Sequence, residues 1–157
     1  MVKQILLCVF LGIASNCYSQ DKEVNFIILI DGNLTQIYGE NIIMKNGQGE
    51  EEAIRIHYVP GKLSVEERLY DKIISESVGD LMLNLQYIKT EKGDAKYLSY
   101  KIGDFNRDWL SKGNYFILYV YTADDKGNRK RFGFLPGQKI TYEYDWSQGS
   151  MRRATKN

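Results

Sequence analysis

From residue 20 onward, apolar and polar positions alternate with a period of two far more often than with a period of 3.6, the pattern of half-buried strands. Val24 to Ile30 is apolar apart from Asn25 and stops at Asp31-Gly32-Asn33, a turn signal. Leu34 to Tyr38 is a short extended segment. Asn41 to Lys45 and Ala53 to Val59 flank a Gly-rich acidic connection, residues 46–52, and read as a hairpin that Pro60-Gly61 ends. Leu81, Leu83, Leu85 and Tyr87 share one face of a strand. After the turn at Glu91-Lys92-Gly93-Asp94, Leu98, Tyr100 and Ile102 share a face of the next. Tyr115 to Thr122 is the strongest strand, rich in aromatic and branched residues. Asp124 to Asn128 predicts a hairpin turn, with Arg129 to Phe134 returning and Pro136-Gly137 turning again. Lys139 to Trp146 sets Ile140, Tyr142, Tyr144 and Trp146 against Thr141, Glu143 and Asp145.

Nine or ten short strands separated by turn signals predict an all-β, antiparallel β-sandwich. One stretch is ambiguous. Ser64-Val65-Glu66-Glu67 matches a capping box, and Val65, Leu69 and Ile73 recur every four residues. Residues 64–75 therefore read as a short helix or as irregular strands crossing between sheets. Residues 20–147 form the single predicted domain, and 148–157, without apolar periodicity, read as a flexible basic tail. Leu110 to Leu118 places a Gly turn before a Tyr that enters a core strand. In that local pattern the chain resembles the immunoglobulin-like or transthyretin-like group. The resemblance implies a Tyr115 ring buried beside its own turn, and no particular function.

The N-terminus adds a compartment. Met1 to Gln4 carries one positive charge, Ile5 to Ile13 is uninterrupted apolar sequence, and Ala14 to Ser19 turns small and polar. That order predicts a secretory signal peptide over residues 1–19, cleaved after Ser19. The apolar run falls short of the roughly 20 residues that span a bilayer, and no later segment is long enough either. Lipid attachment at Cys17 is the rival reading, but Asn16 fits poorly before a lipidated cysteine. The expected location is periplasmic or extracellular. Cleavage also removes Cys8 and Cys17, the only cysteines, so the mature domain is expected to lack disulfides and thiolate chemistry. Loss of Lys3 leaves 20 basic against 20 acidic residues, a balance that argues against a nucleic-acid partner. Two basic clusters remain, Lys126/Arg129/Lys130/Arg131 and Arg152/Arg153/Lys156, and they read as solvated turn and tail charges.

Candidate chemistry is thin. His57 is the only histidine, and no Gly-x-Ser-x-Gly elbow accompanies it, so a triad or a zinc site is not indicated. Asp104, Asn106 and Asp108 have the spacing that opens a calcium loop. The match then fails at Trp109, where Gly is needed, and at Tyr115, where Glu is needed. Glu50-Glu51-Glu52 reads as a solvated loop tip, and no phosphate-cradling Gly loop is present. No cofactor is expected. Aromatic residues are the one surplus. Tyr142, Tyr144 and Trp146 form a stripe that either stacks on a ligand or fills the space between sheets. The leading expectation is an exported, non-enzymatic β-sandwich that binds a protein or glycan. The alternatives are a small carbohydrate-active enzyme using a carboxylate pair, and a structural or inhibitory cap for another exported protein.

Overall fold

The computed structural model describes residues 20–35, 37–45, 48–75, 80–91, 94–103, 105–111 and 114–155. The predicted signal peptide, with both cysteines, lies outside the described residues. So do Asp104 and Lys156.

Two sheets pack as a sandwich. The first holds β1 (Asp21–Ile30), β2 (Asn33–Leu34), β5 (His57–Val59), β6 (Gly61–Glu66), β9 (Tyr115–Thr122), β10 (Ile140–Trp146) and β11 (Gly149–Met151). Its order is β11-β10-β9-β1-β6-β5, with β2 folded back on the end of β1. The second sheet holds β3 (Ile37–Lys45), β4 (Glu51–Arg55), β7 (Leu81–Glu91) and β8 (Asp94–Ile102), in the order β4-β3-β7-β8. Helix α1 (Glu67–Ile74) and a 3₁₀ turn (Arg107–Leu110) lie on the connections from one sheet to the other, and helix α2 (Lys126–Arg131) follows β9.

The core is what the alternation predicts. Phe26, Ile28 and Ile30 of β1 and Phe116, Leu118 and Val120 of β9 point inward, against Ile42, Leu83, Leu85 and Ile102 of the second sheet. Every strand pairing is antiparallel except β1 with β9, which runs parallel from Asn25↔Tyr115 to Ile30↔Val120. That is a departure from the wholly antiparallel expectation. Residues 24–30 of β1 and all of β9 up to Thr122 are nearly continuous apolar runs, fully buried on the inner face and mostly half-buried on the outer one, as suits strands in the middle of a sheet.

Several predicted elements shift. The segment 53–59 is two strands, not one. β4 pairs with β3 in the second sheet, and the chain then crosses at Ile56 so that β5 pairs with β6 in the first. The crossing is pinned by Glu40. Gly39, at φ 63, sits where the β3–β7 register slips between Tyr38 and Asn41. A Cβ there would lie 2.7 Å from Gln86 Oε1. The bulge turns Glu40 inward, where its Oε1 accepts the Tyr58 backbone N–H at 2.7 Å.

The capping box does not start the helix. Ser64 to Glu66 continue β6, and α1 begins at Glu67 after an N-cap Glu66 that makes no side-chain cap. β6 keeps Leu63 and Val65 buried beside β1, and the helix then buries Ile73. The predicted hairpin at Asp124–Asn128 is instead the start of α2. Asp125 Oδ1 accepts the Asn128 N–H at 2.8 Å, a helix N-cap rather than a hairpin corner.

Of the predicted tail, residues 148–155 are described, and they are not free. β11 pairs with β10, Arg152 bonds Asp145, and Thr155 bridges to Phe132. Glu143 explains the attachment. It is only 3% exposed, and its Oε1 accepts the Arg153 N–H at 3.0 Å, so a buried carboxylate holds the chain end in place. Tyr115, expected to bury its ring, remains 49% exposed, and Phe116 takes the core position.

Candidate functional site

β10 supplies the first half of the site. Its register sets Tyr142 opposite Val120, Tyr144 opposite Leu118 and Trp146 opposite Phe116, so the aromatic stripe lies on the inner face of the first sheet. The three rings are half-buried and pack against the core. Their roles differ. The Tyr142 hydroxyl donates to the Gly103 carbonyl at 3.0 Å and so ties β10 to the end of β8. Tyr144 and Trp146 continue past that point into an aromatic row.

The row is completed by Trp109 from the 3₁₀ turn. Its ring stacks on Phe116 with centroids 4.3 Å apart and planes at 16°. It meets Tyr144 at 4.4 Å and 49°, and Tyr144 meets Trp146 at 5.3 Å. Trp146 is also held from below. Gly149 pairs with it across the β10–β11 turn, and a Cβ on Gly149 would approach the indole to 3.3 Å.

The 3₁₀ turn supplies the second half. Asn106 caps it, with Oδ1 accepting the Asp108 N–H at 2.9 Å. Beside the aromatic row opens a cleft of about 400 Å³. Its aromatic lining is Trp109, Tyr144 and Trp146, and its polar lining is Asn106, Asp108, Ser111, Asn114 and Gln148. Two candidate sets that are 38 residues apart in sequence, Asn106/Asp108 and Tyr144/Trp146, therefore face one cavity. The spacing of a calcium loop is not what brings them there. Asn106 spends its oxygen on the cap, and among the described residues no three His, Cys, Asp or Glu side chains gather to hold a metal.

The polar lining is chemically mixed. The Asp108 carboxylate, the Ser111 hydroxyl and the Gln148 amide have no hydrogen-bond partner among the described residues. Asn106 Nδ2 offers a donor, and the Asn114 Oδ1 an acceptor. Such a set pairs with hydroxyl groups, which donate and accept at once. Asp108 is the one acid among the described lining residues, and a carboxylate-pair hydrolase needs two facing its substrate.

The acids of β10 cannot supply the pair. Glu143 and Asp145 lie on the opposite, outer face of the sheet. Glu143 accepts from the Tyr121 hydroxyl at 3.0 Å and from Arg153 N–H, with Arg131 3.7 Å away. Asp145 accepts from the Tyr119 hydroxyl at 2.9 Å and from Arg152 at 2.6 Å. Burial, and then the bonds to these carboxylates, push both tyrosine hydroxyls above the ordinary tyrosine pKa. The network fastens α2 and the chain end to the back of the sheet.

His57 stands apart from the cleft. Its ring is 75% exposed and its Nδ1 is 3.9 Å from Glu40 Oε1, in a separate depression of about 260 Å³ beside Tyr38 and Arg55. Glu50, Glu51 and Glu52 are exposed, with Glu52 paired to Lys72.

Trp109, Ser111, Asn114 and Gln148 are the site residues that sequence reasoning missed. A signal for them exists in the β9–β10 register. Once Trp146 is set opposite Phe116, the segment just before Phe116 must lie near the end of β10. Compared with known proteins, the chain matches no family model, no curated protein and no solved structure.

Proposed function

We propose that this is an exported, non-enzymatic β-sandwich protein that binds a glycan in the cell envelope or outside the cell. The observation that carries the reading is the cleft, where Tyr144 and Trp146 share one wall system with acid, amide and hydroxyl side chains that have no hydrogen-bond partner among the described residues. Sugar rings present apolar C–H faces and polar hydroxyl edges. A half-buried aromatic row receives the first, and Asp108, Asn106, Asn114 and Gln148 receive the second. A protein partner of standard size needs roughly 800 Å² from each side, more than a concave polar cleft offers by itself. Export rests on the charged, apolar and then small-residue order of residues 1–19.

Titration of the purified protein with a panel of soluble oligosaccharides, followed by tryptophan fluorescence and calorimetry, tests the reading. Trp146→Ala is expected to weaken binding about tenfold or more, the loss of one ring contact being worth about 1 kcal/mol beyond its area. Asp108→Asn and Gln148→Ala, both on exposed positions, are expected to weaken binding without changing the circular dichroism spectrum. Folded variants of all three that bind like the parent protein would remove the cleft as the site. A stable complex with another exported protein and no glycan affinity would favour the capping role instead.

A further inference from the structure

The fold concentrates positive charge that the sequence scatters. Helix α2 carries Lys126, Arg129, Lys130 and Arg131. Arg131 faces Glu143, but Lys126, Arg129 and Lys130 are exposed and make no ion pair among the described residues. The Phe132–Thr155 bridge then lays the chain end beside the end of α2, adding Arg152 and Arg153 to the same flank. The nearby acids are engaged. Asp125 caps α2, Asp124 stands 4.0 Å from Lys96, Asp145 binds Arg152, and Glu143 is buried under Arg131.

Directly after α2 the chain presents an apolar tip. Leu135 is 72% exposed. Its turn is rigid. Gln138 N–H donates to the Leu135 carbonyl at 3.0 Å, and Leu135 N–H donates to Gln138 Oε1 at 2.9 Å. Gln138 Nε2 donates to the Ile140 carbonyl at 2.8 Å, and Gly137 supplies the positive φ of 80° that the turn requires. Exposed Lys139 follows on the far side of the turn. A leucine held in water by the hydrogen bonds of its own turn, with the exposed cations of α2 on one side and Lys139 on the other, none of them ion-paired among the described residues, is a presented side chain.

We propose that this corner, α2 and the Leu135–Gln138 turn, docks on a membrane surface bearing anionic headgroups. Leu135 enters the interface, and Lys126, Arg129, Lys130 and Lys139 lie over the phosphates. Lipid fits the page better than a soluble polyanion does. Both attract the cations, but only lipid gives the fixed apolar tip a place to go. None of these residues lines the glycan cleft, so the two readings stand independently.

Co-sedimentation of the purified protein with phosphatidylcholine vesicles, with and without phosphatidylglycerol, tests the proposal. The protein is expected to sediment with the anionic vesicles only, and less so as salt rises. Arg129→Glu with Lys130→Glu is expected to weaken binding at least tenfold. Leu135→Asp is expected to do so as well, with an unchanged melting temperature, and Leu135→Trp to show a blue-shifted emission on the vesicles. Equal sedimentation with neutral vesicles would overturn the charge argument. Full vesicle binding by the Leu135→Asp protein, with equal affinity for heparin, would mark a soluble polyanion site and overturn the lipid assignment.

Discussion

Asp31 shows how much one side chain can fasten. It sits at φ 50, a left-handed conformation that Asp tolerates better than most residues, at the corner after β1. Its Oδ1 accepts the Thr122 N–H at 2.7 Å and the Asn128 side-chain amide at 2.7 Å, and its Oδ2 accepts the Thr122 hydroxyl at 2.6 Å. One carboxylate thus joins the ends of β1 and β9 and the first turn of α2. Bonds to a charged group contribute about 1.5–3 kcal/mol each, and at this part-buried corner water re-satisfies much of what the three donors lose, leaving roughly the worth of one or two bonds. Asp31→Ala is therefore expected to lower stability by about 3 kcal/mol in urea unfolding. Asp31→Asn keeps one acceptor oxygen and the conformational tolerance, so it should cost less than half as much. Equal losses would mean that the backbone geometry, not the carboxylate, matters at this corner. Sequence shows Asp31-Gly32-Asn33 as a turn, which it is. It carries no sign of partners some ninety residues away, because hydrogen bonds between side chains leave no periodic mark. Glu40 was hidden for the same reason, its inward turn depending on a bulge rather than on alternation.

Strands are legible where their own alternation fixes them, and less so where a neighbour decides. β9 runs from Tyr115 to Thr122 as its apolar pattern predicts, and the β7–β8 hairpin pairs as its two stripes require. Asp124-Asp125-Lys126-Gly127-Asn128 suits a hairpin turn and the start of α2 equally. The choice is made by Asn128 bonding Asp31 and the Thr122 carbonyl. Nothing local marks the crossing at Ile56, so the sequence pattern of 53–59 is that of one strand. The crossing repairs a gap in the first sheet. The β6 ladder ends where Gly61 faces Phe26, and the pairing with β2 begins only at Leu29, so Ile28 N–H has no strand partner on that side. The Tyr58 hydroxyl, 2.9 Å away and buried, accepts it. Tyr58→Phe keeps the ring and leaves that N–H orphaned. The variant is expected to lose about 1–3 kcal/mol, with hydrogen exchange at Ile28 accelerated more than at Phe26. An unchanged Ile28 exchange rate would show that the hydroxyl is not what closes the ladder.

The sandwich itself follows from the strand count and turn spacing, but its strand order does not. Nothing in alternation places β1 beside β9 in parallel, and that pairing brings the two ends of the domain into one sheet. The β9–β10 pairing makes the cleft, since it lays Trp146 and Gln148 against the 3₁₀ turn that precedes β9, and the Phe132–Thr155 bridge brings Arg152 and Arg153 beside the basic residues of α2. The stripe Tyr142/Tyr144/Trp146 was legible as a stripe. Its division into one anchor and two cleft residues depends on Gly103 and Trp109, which only the packed molecule supplies. Tyrosines spread over both sheets and α1 give the molecule a shared response to alkali. Burial is the first cause that raises the pKa of Tyr58, Tyr70, Tyr100, Tyr119 and Tyr121 above the ordinary value. In the unfolded chain these hydroxyls ionise near pH 10. Above that pH the unfolded state has lost protons that the folded state still holds, so unfolding becomes progressively easier. Their contribution is complete below about pH 10 and falls as pH rises toward the raised folded values. The urea midpoint is expected to hold steady from about pH 8 to 9.5 and to drop steeply beyond pH 10. Tyrosinate absorbance should rise in two stages, the second coinciding with loss of the circular dichroism signal. Tyr58→Phe, although less stable at neutral pH, should show a shallower alkaline slope. A parallel slope in that variant would mean that Tyr58 ionises in the folded protein as readily as in the unfolded chain.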